Sequence, residues 1–155
     1  VRRFFVSSRT DGAIVDDDSV QRIEPMMRLL LNLLWLTVGG AVTALGYAIG
    51  GLVLCLTVVG IPFGLQAFKL AELMLWPFGK EVVDDRAAIG SGALGLVMNI
   101  LWCVVAGVVI AVAHLTLAVG LAVTIVGIPF AVQHIKFALL AVFPFGKKIV
   151  DAVHA

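Results

Sequence analysis

Charge is what this sequence has least of, and the placement of the gaps carries the argument. No Asp, Glu, Lys or Arg occurs between Arg28 and Lys69, or between Arg86 and Lys136. A bilayer core of about 30 Å is crossed by roughly 20 apolar residues in a helix, so each charge-free run has room for two crossings. Charged residues make up 14% of the chain and hydrophobic residues 61%, where a soluble domain carries roughly 25% charged. A soluble fold is excluded and an integral membrane protein is expected. Cysteine is scarce too: Cys55 and Cys103 stand singly in apolar runs, which excludes a disulfide framework and suits small buried side chains. His114, His134 and His154 have no ligand spacing, so no metal site is expected. Gly-x-Ser-x-Gly, His-Glu-x-x-His and phosphate-loop patterns are lacking, as is a pair of carboxylates inside an apolar run. No enzyme, catalytic residue or cofactor is therefore expected. With no basic stripe interleaved with aromatics, neither is nucleic acid.

What is present is a repeat. Gly60-Ile61-Pro62-Phe63 returns as Gly127-Ile128-Pro129-Phe130, and Pro77-Phe78-Gly79-Lys80 as Pro144-Phe145-Gly146-Lys147, both 67 residues on. The same step superposes Asn32 on Asn99, Trp35 on Trp102, Thr57 on Thr124, Gln66 on Gln133, Lys69 on Lys136 and Asp84 on Asp151 without a gap. One structural unit is written twice. Residues 1–25 read as a polar, disordered tail, 26–85 as the first unit, 86–98 as a linker running into the next span, and 99–152 as the second unit. Met26-Met27 directly precede the first apolar run, and translation is expected to start there.

The expected fold is an all-α membrane protein of about four spans. Each unit is a transmembrane helical hairpin with a Gly-Ile-Pro break, followed by a short amphipathic helix. In unit one a span covers 29–48, Gly50-Gly51 turn the chain, and a second arm starts at Leu52. Pro62 lacks an N–H and obstructs the carbonyl four residues back, so that arm is expected to break at Gly60 and Pro62. A helix from Phe63 to Trp76 follows, with Gln66, Lys69 and Glu72 on one face. Unit two repeats the plan with spans near 97–116 and 119–127, a break at Gly127 and Pro129, and a helix over 130–143 whose polar face is Gln133 and Lys136. Two arrangements fit these terminal helices. They lie along the interface with the apolar face in lipid, or they complete a discontinuous crossing broken inside the membrane. The polar face favours the first.

Basic residues set the orientation. Arg22 and Arg28 precede unit one, Lys80 and Arg86 separate the units, and Lys147 and Lys148 close unit two, while the proposed external turns hold neither Lys nor Arg. An even number of crossings per unit keeps all three clusters cytoplasmic. Both termini are then cytoplasmic and the two units run parallel rather than inverted.

The doubled pattern Asn-x-x-Trp, a Gly-rich span, Thr-x-x-Gly-Ile-Pro-Phe, Gln-x-x-Lys and Pro-Phe-Gly-Lys resembles the YccF-type inner-membrane component family of bacteria, over about Met27 to Asp151. The resemblance implies a multi-pass bacterial cytoplasmic-membrane protein and brings no established activity, substrate or cofactor. Ala131 in place of Gly64 and His114 in place of Tyr47 break the symmetry of the units.

Lys69 and Lys136, with Gln66 and Gln133 beside them, are the candidate lipid or solute contacts, because a lysine in an apolar segment is costly. Snorkelling to anionic headgroups is one reason for them; a path lined by both lysines, which would favour anions, is the other. Asn32, Asn99, Thr57 and Thr124 are candidate polar contacts between helices, although the Thr hydroxyls can also bond their own helix carbonyls. Gly39-Gly40, Gly46 and Gly50-Gly51 in unit one, with Gly107 in unit two, suggest close helix contacts, Trp35, Trp76 and Trp102 interface anchors, and Phe78 and Phe145 pins of the exit turns to the membrane surface. His114 reads as a tolerated interfacial residue. A membrane assembly or scaffold component, packing with itself or with another membrane protein, accounts for these features. A small oligomeric, anion-leaning channel or transporter is the alternative.

Overall fold

The computed structural model describes residues 17–88 and 90–152, with side chains from Glu24 onward. The chain is mostly helical and doubled. In unit one, α1 (Asp17–Trp35) kinks within Leu36–Gly40, where Gly39 has φ 149°, into α2 (Ala41–Cys55), and α3 (Ile61–Leu75) returns alongside α2 before β1 (Lys80–Asp84). Unit two repeats this with α4 (Gly92–Trp102), a π turn (Cys103–Gly107), α5 (Val108–Ala122), α6 (Ile128–Val142) and β2 (Lys147–Asp151). Two helical runs, Glu24–Cys55 with a kink at Gly39 and Gly92–Ala122, are long and apolar enough to cross a membrane, and Ile128–Val142 is a shorter apolar helix.

Several expectations are corrected. Helix α1 starts at Asp17, so residues 17–25 are not a disordered tail; acidic residues in its first turn complement the helix dipole. Residues 1–16 lie outside the described residues. Gly50-Gly51 do not turn the chain. They lie within α2, where a Cβ on Gly51 would stand 3.0 Å from the Gly64 carbonyl oxygen, so the missing side chain lets α2 and α3 approach. The turn falls instead at Leu56–Gly60, and Gly60-Ile61-Pro62 opens α3 rather than breaking a helix. Proline is well accommodated in a first turn, where its absent N–H has no intrahelical partner to lose. Gly127 and Pro129 open α6 in the same way, and 119–127 is not a separate span.

The fold is also not entirely helical. Strands β1 and β2 pair antiparallel, with Val82 opposite Ile149 at the centre of the register. These two residues are 67 apart, the repeat step itself, so a pseudo-two-fold axis passes between them. Equivalent bonds extend the ribbon at both ends, Asp85 N–H to Gly146 O (2.8 Å) and Ala152 N–H to Gly79 O (2.9 Å). Gly79 and Gly146 enter it at φ 95° and 77°, a left-handed conformation that explains a glycine in each Pro-Phe-Gly-Lys turn.

At the ribbon end lie Lys80, Lys147, Lys148 and Arg86, and Arg28 shares a small hollow there with Lys80 and Asp151. The opposite end holds the hairpin tips, where Leu56, Val58 and Val59, and in unit two Val123, Ile125 and Val126, are at least 72% exposed. Charge and bare apolar surface are thus segregated along the molecule.

Candidate functional site

The repeated Asn-x-x-Trp motif places two side chains on one face of α1, and both address the end of α3. Asn32 accepts from Phe78 N–H (3.0 Å) and donates to Phe78 O (2.9 Å), while the Trp35 indole N–H donates to Met74 O (2.6 Å). The last carbonyls of a helix have no intrahelical donor, and Trp35 supplies one. Unit two does the same with Asn99 on Phe145 and Trp102 on Ala141 O. The Asn partners are therefore the Pro-Phe-Gly-Lys turns rather than facing helices. Trp35 and Trp102 are not interface anchors, being 1% and 2% exposed; their donors are spent on helix ends, and Gly40 and Gly107 leave room for the rings. Trp76 is exposed. Phe78 and Phe145 point inward, packing edge-on to Trp35 and Trp102 respectively, not onto the membrane surface.

The units interlock through these rings. Trp35 packs against Phe130, His134 and Phe137 of α6, and Trp102 against Phe63 of α3. Among hydrocarbon tails such contacts act by close packing and internal hydrogen bonds, since lipid is as apolar as the side chains it gives up.

A buried polar chain crosses the axis: Tyr47 Oη lies 3.1 Å from His114 Nε2, and His114 Nδ1 lies 2.9 Å from His134 Nδ1. His114 is 3% exposed and is not interfacial. Sequence reasoning missed Tyr47 and His134 as its partners. The available signal was that Tyr47 and His114 share one place in the repeat, where contact across a two-fold axis becomes possible. Gly46 and Gly50 make no close contact; they line an apolar cleft of about 290 Å³ between the units with Ala113 and Leu117.

The lysine faces of the two units differ. Gln66 donates to Pro144 O and Lys69 Nζ to Lys147 O, tying α3 to the other unit's exit turn, and Lys69 also feels the Asp85 carboxylate. Their counterparts Gln133 and Lys136 make no such bonds and line a cavity of about 610 Å³ beside β1. Glu72 is exposed. Thr57 and Thr124 bond their own helices, at Leu54 O and Leu121 O, and accept from Gly60 N–H and Gly127 N–H at the tips. Outside the helices, Lys147 bonds Asp84 and Lys80 bonds Asp151 (2.6 Å). The bond from Lys147 is the main cause holding the Asp84 carboxyl below its ordinary value.

A family model described as an inner membrane component domain, YccF, matches the chain twice, over residues 30–80 and 97–147. The chain is similar to the inner membrane proteins YccF of Escherichia coli (strain K12) and of Shigella flexneri. It is 30% identical to each over 131 residues, covering 81% of this chain and 88% of the relative. No solved structure matches it.

Proposed function

Because this chain belongs to the YccF inner membrane component family, we propose that it is a multi-pass, non-catalytic scaffold of the bacterial inner membrane, with its outer helix faces docking a second copy or another membrane protein. The observation that carries this reading is how the space between the units is used. Its centre is packed by Trp35, Trp102, Phe130 and Phe137, all buried, while α2 and α5 turn outward residues such as Val42 (75% exposed) and Val119 (71% exposed). A protein organised around a solute path would invest its polar groups along that path. Here the polar groups of α1 and α4 close helix ends, those of α3 bind the opposite exit turn, and the buried Tyr47, His114 and His134 bond one another.

In this reading the ribbon end is cytoplasmic, as the basic residues gathered there favour. The bent helices run outward and α3 and α6 return, so both termini lie on the ribbon side. A 15-residue α3 spans about 22 Å, short of a bilayer core of about 30 Å. Local thinning of the bilayer then brings the apolar tips to its outer surface. The Thr57 and Thr124 bonds to the tip glycines satisfy backbone donors at turns bordered by hydrocarbon.

Photo-crosslinking from positions 42 and 119 in native membranes tests the scaffold. Discrete protein adducts support it, and adducts to lipid alone from both faces overturn it.

A further inference from the structure

The two units share a sequence plan but leave one site closed and the other open, and we propose that the open one binds a single phospholipid through its singly charged phosphodiester. In unit one the site is shut by the unit's own side chains: Gln66 on Pro144 O and Lys69 on Lys147 O. The corresponding acceptors for unit two would be Pro77 O and Lys80 O, 67 residues earlier in the repeat. Neither Gln133 nor Lys136 has a hydrogen-bond or ion-pair partner among the described residues, and both line the cavity of about 610 Å³. One sequence difference that accompanies this is Leu139 in the place of Glu72, which replaces an acidic neighbour of the lysine with an apolar one.

The cavity matches an amphiphile. Its buried floor is Leu73, Phe137 and Leu140, and its lining also holds Lys80, Lys136, Lys147, Gln133 and Glu81. Lys80 and Lys147 are already paired with Asp151 and Asp84, which leaves Lys136 as the cation without a counterion and the Gln133 amide as a donor beside it. One ammonium, one amide and an apolar floor fit one phosphate diester with an acyl chain below it. The Glu81 carboxylate in the same lining opposes a second negative charge, so multiply phosphorylated headgroups are disfavoured. The occupant is a membrane lipid rather than a free anion because the floor is apolar and the chain is embedded in the bilayer that supplies it.

Native mass spectrometry of the full chain, titrated with phosphatidylglycerol in detergent, tests this. The expected result is one retained lipid per chain, with affinity reduced about tenfold by Lys136→Gln and by Leu139→Glu, and unchanged by Lys69→Gln. Glu72 holds the equivalent place in unit one, so Leu139→Glu is compatible with the fold, which an unaltered thermal transition verifies. Equal retention by wild type and both unit-two variants overturns the proposal. So does release of the lipid by millimolar glycerol phosphate, which would make this a site for soluble anions.

Discussion

Tyr47 and His114 occupy the same place in the two units, 67 residues apart, and their side chains meet 3.1 Å from each other across the pseudo-two-fold axis. A residue on such an axis faces its own counterpart, so an identical pair would have to satisfy a self-contact. Tyr opposite His lets a hydroxyl and an imidazole nitrogen share one hydrogen bond, and His134 extends the chain. Tyr47→Phe removes one partner and leaves His114 Nε2 buried without it. A loss of about 1–2 kcal/mol is expected, read as a lower midpoint in denaturant-induced unfolding in detergent. An unchanged midpoint would show that the contact does not hold the units together.

The helix-end role of Asn-x-x-Trp predicts symmetric costs. Asn32→Ala and Asn99→Ala each delete two hydrogen bonds to a Pro-Phe-Gly-Lys turn and should each destabilise by about 1–3 kcal/mol. Hydrogen exchange should report faster opening at Phe78 in the first variant and at Phe145 in the second. Similar loss at both turns in either variant would contradict a local capping role.

The glycines divide into two groups. A Cβ on Gly40 would stand 2.1 Å from the Trp35 indole nitrogen, whereas Gly46 and Gly50 have nothing within 4 Å. Gly40→Ala should cost about 1–3 kcal/mol by overpacking, measured by thermal unfolding. Gly46→Ala should leave the midpoint of the isolated chain unchanged; a large fall there would restore the close-contact reading of Gly46 and Gly50.

Much of this architecture is legible in the repeat itself. The step of 67 residues defines two units, and the charge-free runs imply their membrane setting. Gly-Ile-Pro was harder, because proline is as compatible with a helix start as with a helix break, and only the packing of α3 on α2 decides. Gly50-Gly51 misled for a related reason: glycine marks turns in water but close helix approach in membranes. The Trp and His positions could not be read from one chain, since their partners lie 39 and 20 residues away or in the other unit. The ribbon had a usable signal in the β-branched pairs of KEVVD and KKIVD.

The ribbon's exposed ion pairs respond to acid. Hydrogen bonding from Lys147 holds the Asp84 pKa below its ordinary 3.8, so the folded ribbon binds that proton less readily than the unfolded chain. Its stabilisation is complete above that ordinary value and is lost as pH falls through the folded one. Amide exchange at Val83 and Val150, which belong to the hydrogen-bonded pairs of the register, corrected for intrinsic rates, should show weaker protection below about pH 4, and Asp84→Asn should remove most of that dependence. A pH profile identical in Asp84→Asn would assign it elsewhere.

Ion flux from liposomes holding the purified, correctly inserted protein tests the central claim most directly, with anions, monovalent cations and protons screened under an imposed potential. A scaffold whose aromatic rings pack the centre between its units should give no selective flux above empty liposomes. Selective anion flux that falls in a Lys69→Ala, Lys136→Ala double variant would contradict the account and establish a transport path.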